Sequence, residues 1–153
     1  MSGEKIYEQF IEWLKQGFLL PDADELAPLI RARYGVEEAA LLTGFPFSLT
    51  KLSDLAVAAG REEGEFKETL EALTVKDLLY RQLREDGPWF KLNGSFFTFL
   101  RSSFWAGRSD EQTKAIAGLT NKYYYHGFFD DWQHVHYQGL RALPINETIG
   151  DSR

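Results

Sequence analysis

The sequence predicts a helix-rich α+β domain, and two patterns carry this prediction. Apolar residues recur at helical spacing in several segments of the first 75 residues. Two short segments of strand composition then follow within residues 78–92, on either side of a turn. The chain of 153 residues, with 44% hydrophobic and 26% charged residues, has the composition of a globular domain large enough for its own core.

Three helices are predicted before residue 46. The first carries apolar residues at helical spacing, namely Ile6, Phe10, Trp13 and Leu14. We expect it to end near Gly17. A second helix should open near Asp24 and Glu25, because Pro28 is tolerated only in or near a first turn. A short third helix is predicted for Val36–Leu42.

Residues 47–94 have the pattern of a winged helix-turn-helix core. Ser48 or Thr50 could cap a helix that ends at Gly60 in the left-handed conformation. A second helix is indicated by apolar residues at helical spacing, namely Phe66, Leu70 and Leu73. Two strands with an intervening turn complete the pattern: Leu78–Leu83, the turn Glu85–Pro88, and Trp89–Leu92. Helix, tight turn, helix and hairpin is the order of a winged helix.

The chain is therefore expected to have three parts. Residues 1–46 form helices packed on the core, residues 47–94 form the winged-helix core, and residues 95–153 form an aromatic-rich helix and an extended tail. The C-terminal helix should start at Ser109–Glu111 and run into Tyr123–Tyr125, with Gly127 breaking it.

Composition excludes several classes of chemistry. Cysteine is absent, so disulfides, thiolate metal sites and cysteine nucleophiles are excluded within these residues. The N-terminus lacks the pattern of a signal peptide, and no apolar run approaches the length of a membrane span. We therefore expect a cytoplasmic location.

Charge argues against nucleic acid as the main partner. The net charge of −6 divides into −7 for residues 1–86 and +1 for residues 87–153, so the N-terminal half is acidic and should repel a phosphate backbone. The segment 61–71, which includes the second helix of the core, contains five glutamates and two basic residues. A transcriptional regulator remains the alternative function, with phosphate contacts from Arg61, Lys67, Lys76, Arg81 and Arg84.

Three segments together resemble a known group of proteins. They are the predicted winged helix (Leu49–Leu92), the aromatic helix ending at Tyr123–Tyr125, and the closing segment Arg141–Ile149, which reads RALPINETI. They resemble the N-terminal, cysteine-free region of bacterial ferredoxin-type 4Fe–4S proteins from anaerobes. In that group a winged-helix-like domain comes first, and a segment of the form R-x-x-P-x-N/G-E-x-I leads into a cysteine-rich iron–sulfur part.

The resemblance implies a docking domain of an iron–sulfur electron-transfer protein, without catalysis in this chain. It implies no cofactor within residues 1–153, because the cysteines that hold 4Fe–4S clusters would lie after Arg153. The implied partner is a protein, either a downstream iron–sulfur domain or a second copy in a homodimer.

Aromatic residues after residue 95 are the predicted contact surface. Large aromatic side chains dominate both cores and interface hot spots, so they could also fill the core or wall a pocket for a small apolar ligand. The residues we expect at the partner are Phe97, Phe104, Trp105, Phe128, Phe129 and Trp132.

A metal-dependent enzyme is the third hypothesis, and it rests on three histidines. His134 and His136 alternate, so on a strand they would project to one face, where His126 and Asp130 or Asp131 could join them as ligands. Local hydrogen bonding among aromatic neighbours is the simpler reading. The sequence shows neither a G-x-S-x-G nucleophile motif nor a glycine-rich phosphate loop.

Overall fold

The structure, a computed structural model, describes residues 2–94, 101–104 and 107–134. It confirms a helix-rich α+β fold with one small antiparallel sheet. Within these residues, no helix combines the length and the apolar character that crossing a bilayer requires.

Three helices precede the sheet, as predicted: α1 (Gly3–Phe18), α2 (Leu26–Arg33) and α3 (Val36–Leu42). Helix α1 buries Phe10, Leu14 and Phe18, which lie on one face because of their spacing of four residues. It ends one residue beyond the predicted position, and Leu19 follows in the left-handed conformation with φ 51°. The close approach of α1 to the following segment requires Gly17, where a Cβ atom would lie 2.3 Å from the Phe47 ring.

The central part of the chain contains two helices and three strands: β1 (Thr50–Lys51), α4 (Leu52–Ala59), α5 (Glu63–Val75), β2 (Leu79–Arg84) and β3 (Gly87–Leu92). The strands are antiparallel in the order β1-β3-β2. Phe90 on β3 pairs with Thr50 on β1 and with Arg81 on β2. Strand β2 is thus an outer strand, and its side chains after Leu79 are exposed.

Local signals in this part are partly confirmed. Gly60 ends α4 in the left-handed conformation, with φ 63°. The predicted cap at Ser48 or Thr50 is wrong, because the N-cap position is Lys51 and the Thr50 hydroxyl donates to the Ser48 carbonyl instead. Helix α5 begins after Glu62, whose carboxylate accepts a 2.8 Å hydrogen bond from the Glu65 backbone N–H.

The hairpin is shifted relative to its prediction. Strand β3 already begins at Gly87, so only Glu85 and Asp86 form the turn. The Asp86 carboxylate accepts a 2.9 Å hydrogen bond from the Trp89 indole and pairs with Lys51 at 3.2 Å. These donors lower the pKa of Asp86 and hold the turn against β1.

Described residues of the C-terminal part form a 3₁₀ turn (Ser102–Phe104), α6 (Glu111–Tyr123), a π-helical turn (Tyr124–Phe129) and α7 (Asp130–Gln133). The prediction that Gly127 breaks the helix is wrong. The chain instead continues through Gly127 in π-helical geometry, and this glycine is buried at a position where a Cβ atom would crowd the Tyr123 ring.

The buried residues of all three sequence ranges form one hydrophobic cluster. Helices α1, α2 and α3 contribute most of its N-terminal members, and β3 contributes Phe90 and Leu92. The C-terminal contribution comes from Ile116, Tyr123 and Phe128. The ranges predicted as 1–46, 47–94 and 95–153 therefore share a core among the described residues.

Asp110 is the N-cap of α6, and its carboxylate accepts a 2.7 Å hydrogen bond from the Thr113 backbone N–H. This bond lowers the pKa of Asp110. We expect Asp110→Ala to lower the urea midpoint at neutral pH and Asp110→Asn to change it little, since asparagine is also a good cap.

The Asp110→Ala effect should depend on pH. Because folding depresses the pKa, the ionised cap stabilises the fold above the ordinary aspartate pKa, and this contribution is lost as the pH falls through the depressed value. Urea midpoints measured at decreasing pH should therefore converge for wild type and Asp110→Ala. A difference that persisted unchanged in acid would contradict this account of the cap.

Candidate functional site

The π-helical turn presents three exposed aromatic rings, which we call the aromatic face: Tyr124, Tyr125 and Phe129. Tyr125 is 53% and Phe129 is 50% exposed, which is unusual for side chains that contribute so much to cores. The ring centroids lie 5.4 Å apart for Tyr124 and Tyr125, and 6.1 Å apart for Tyr125 and Phe129. The three rings thus form a contiguous apolar surface with hydroxyl groups at two positions.

The opposite side of the same turn is anchored in the core. Tyr123 is fully buried, its hydroxyl donates a 2.7 Å hydrogen bond to the Pro21 carbonyl, and its ring packs edge-on against Phe128 at 5.2 Å. A Cβ atom on Gly127 would lie 3.1 Å from the Tyr123 ring and 3.4 Å from Pro21. The absence of that atom lets the turn sit against the loop between α1 and α2. Because the inner side is fixed in this way, the exposed rings are held in place.

A polar cleft adjoins the aromatic face and is lined by Pro21, Asp22, His126, Gly127, Asp130 and His134. His126 Nδ1 lies 2.6 Å from a carboxylate oxygen of Glu25, and this hydrogen bond lowers the pKa of Glu25. His134 Nδ1 lies 2.6 Å from the Asp130 carbonyl. Polar and acidic side chains, including Asp22 and Asp130, therefore lie beside the apolar rings.

The structure places the six predicted partner residues in different environments. Phe129 belongs to the aromatic face. Phe128 is only 2% exposed and packs on Tyr123, so it is a core residue that a partner cannot reach in the folded chain. Phe104 is half-buried against the core. Phe97, Trp105 and the Trp132 side chain lie outside what the structure describes.

Tyr124 and Tyr125 are the surface residues that sequence reasoning missed. The sequence predicts them on the aromatic helix, but the predicted contact residues do not include them. The signal was available in the spacing, because Tyr125 and Phe129 are four residues apart and so lie on one side of a helix. This spacing is informative only if the helix continues through Gly127.

Of the three histidines in the metal hypothesis, the structure describes His126 and His134. His134 lies in a turn that follows helix α7, not on a strand, and its Nδ1 already faces a backbone carbonyl. His136 lies outside the described residues. Over residues 2–94, 101–104 and 107–134, no three histidine, aspartate or glutamate side chains converge as a metal site would need.

Each basic residue of the nucleic-acid alternative lies near a carboxylate or an aromatic ring. Glu71 lies 3.9 Å from Lys67 and 3.3 Å from Arg81. Lys76 pairs with Glu38 at 2.6 Å. The two remaining guanidinium groups lie over aromatic rings, at 5.4 Å for Arg61 on Phe66 and 4.1 Å for Arg84 on Trp89.

Comparisons with models of protein families, with curated proteins and with solved structures each return no match.

Proposed function

We propose that this chain is a docking domain that acts by binding another protein and not by catalysis. The observation that carries the proposal is the aromatic face, where a rigidly anchored π-helical turn exposes Tyr124, Tyr125 and Phe129 side by side. Tyrosine rings combine a large apolar area with a hydrogen-bonding group, and for that reason they recur at interface hot spots. π-helical turns are rare, and many occur at functional sites.

The central elements act as a scaffold for this face. Strand β1, helices α4 and α5, and the β2–β3 hairpin occur in the order of a winged helix, with β3 between the other two strands. We propose that residues 47–94 are a winged helix used for its compact shape. The same fold can serve many functions, so the site must carry the functional argument.

Charge favours a protein over nucleic acid as the partner. Helix α5 carries Glu63, Glu65, Glu68 and Glu71, and its one lysine faces Glu71. A helix that enters a DNA groove needs an excess of cations to meet the phosphates, whereas α5 carries four glutamates and one lysine.

The partner we propose is an iron–sulfur domain of the ferredoxin type. This choice rests on the resemblance of the segments Leu49–Leu92, Tyr123–Tyr125 and Arg141–Ile149 to the N-terminal region of such proteins. On this proposal the chain holds no cluster itself and positions the cluster domain for electron transfer.

The test is a titration of the isotope-labelled chain with a bacterial ferredoxin that carries 4Fe–4S clusters, followed by NMR. The paramagnetic clusters should broaden backbone amide signals around Tyr124–Phe129. Changing Tyr125 and Phe129 together to serine should weaken the affinity at least about tenfold, since hot-spot aromatic residues carry much of the binding energy.

A matched control removes exposed apolar side chains elsewhere. Val57 and Leu83 are also largely exposed, and serine at both positions should leave the affinity unchanged. If the Tyr125/Phe129 and Val57/Leu83 double variants lost affinity for the ferredoxin equally, the aromatic face would not be the binding surface. If no signal near the aromatic face broadened, the proposal of an iron–sulfur partner would be overturned. Analytical ultracentrifugation would then show whether the aromatic face instead joins two copies of the chain.

A further inference from the structure

A second feature, on a different part of the molecule, is a cavity of about 500 Å³. It lies among α1, the end of α2, the start of α3, the end of α5 and the start of α6. Its volume falls within the range of small-molecule sites. The walls combine apolar and polar groups, and none of the residues that line it belongs to the aromatic face.

Four cations line this cavity, in a chain whose net charge is −6: Arg31, Arg33, Lys76 and Arg108. They come from three separate segments that only the fold brings together. Arg33 is only 7% exposed, so its charge is held inside the protein, where Coulomb interactions are stronger than in water. One of its guanidinium nitrogens donates a 3.3 Å hydrogen bond to the Asp77 carbonyl.

The two acids of the cavity wall are already engaged. Glu38 accepts a 2.8 Å hydrogen bond from the Gly35 backbone N–H and pairs with Lys76. Asp110 caps α6 by accepting from the Thr113 N–H and lies 4.0 Å from Arg108. Arg31 pairs with Glu4 at the edge of α1. The lining itself still carries four positive and two negative side chains.

The buried hydroxyl of Tyr34 also indicates a ligand in this cavity. Tyr34 lines the cavity and is 1% exposed, and its oxygen has no hydrogen-bond partner among the described residues. Buried hydroxyl groups are nearly always hydrogen-bonded, so an orphan calls for a missing partner. Burial raises the pKa of Tyr34, so at neutral pH the group is a protonated donor, which suits an anionic acceptor.

Other contacts fix the position of Tyr34. Its ring meets Phe10 edge-on at 4.9 Å, and its backbone carbonyl accepts a 2.8 Å hydrogen bond from the Tyr7 hydroxyl. The residue therefore cannot easily turn to find another partner. The donor is fixed before any ligand arrives.

We infer that this cavity binds a small organic anion, a molecule with a carboxylate or phosphate group, through Arg33, Arg108 and the Tyr34 hydroxyl. The guanidinium groups match the geometry of an oxyanion and the hydroxyl supplies a neutral donor. The volume leaves room for an organic group beyond the anion. This site is separate from the proposed docking face and does not depend on it.

The experiment measures binding of three probes by NMR titration at constant ionic strength: phenyl phosphate, benzoate and the uncharged benzyl alcohol. At least one anion should bind at least about tenfold more tightly than benzyl alcohol, with signals shifting around Tyr34 and Thr113. Comparison of the two anions shows whether the site prefers phosphate or carboxylate. Equal or absent binding of all three probes would overturn the inference.

Two variants test the residues. Tyr34→Phe removes only the orphan hydroxyl, so we expect the thermal midpoint to hold or rise while anion affinity falls at least about threefold. Arg108→Gln changes an exposed side chain and should lower the affinity for the anion by a similar factor. Arg61→Gln, an exposed charge outside the cavity, is the matched control and should bind as wild type. Unchanged anion affinity in both Tyr34→Phe and Arg108→Gln would refute the site.

Discussion

Replacing Tyr123 by alanine is expected to lower the free energy of unfolding by about 3–5 kcal/mol, the range for large aromatic residues in cores. The ring is fully buried and packs on Phe128, and its hydroxyl joins the C-terminal helix to the Pro21 carbonyl. The substitution leaves a cavity at the point that anchors the π-helical turn. If the proposed ferredoxin-type partner binds the aromatic face, this binding should be lost as well, although Tyr123 itself is not exposed.

Tyr123→Phe separates the two contributions. It keeps the ring contact with Phe128 and removes the hydrogen bond to Pro21, so the expected cost is about 1 kcal/mol. Urea denaturation followed by circular dichroism gives both values. If Tyr123→Ala unfolded at the wild-type midpoint, the C-terminal helix would not be part of the cooperative core.

The second large effect is expected at Phe90. This residue is fully buried on β3, the central strand, and lies opposite both Thr50 on β1 and Arg81 on β2. Phe90→Ala should lower the free energy of unfolding by about 3–5 kcal/mol, because the substitution removes a fully buried ring and leaves a cavity in the core.

The matched control for Phe90 is Leu83→Ala on the outer strand. Leu83 is largely exposed, so its loss should change the free energy of unfolding by no more than about 0.5 kcal/mol. Fluorescence and circular dichroism should report one coincident transition for Phe90→Ala, since the cluster joins all three sequence ranges. Two separate transitions would show that the helices before residue 46 and the sheet unfold independently.

Periodicity was sufficient to predict most of the helices. Helix α3 has its predicted bounds, and α1 ends one residue from its predicted end. The spacing of Phe66, Leu70 and Leu73 predicted a buried face that the structure confirms. These signals are local, because the apolar residues repeat with the period of the helix itself.

Features that depend on distant partners could not be read in this way. A glycine within a helical pattern can mark the end of the helix, and the sequence does not reveal the close packing at Gly127, where a Cβ atom would lie 3.1 Å from the Tyr123 ring and 3.4 Å from Pro21. The burial of Phe128 and the exposure of Phe129 follow from the continuation of the helix through Gly127. The cavity was also beyond prediction, since Arg33, Lys76 and Arg108 are far apart in sequence and meet only in the fold.

The position of β2 at the margin of the sheet has a consequence for solubility. A strand with an unpaired side can recruit a strand from a neighbouring molecule, and Tyr80 and Leu83 would add apolar contacts to such pairing. Arg81 and Arg84 lie on the same strand. Pairing of the β2 strands of two molecules would therefore bring positive charges close together. We therefore expect Arg81 and Arg84 to oppose edge-to-edge pairing of two copies, since charged side chains on an outer strand disfavour such association.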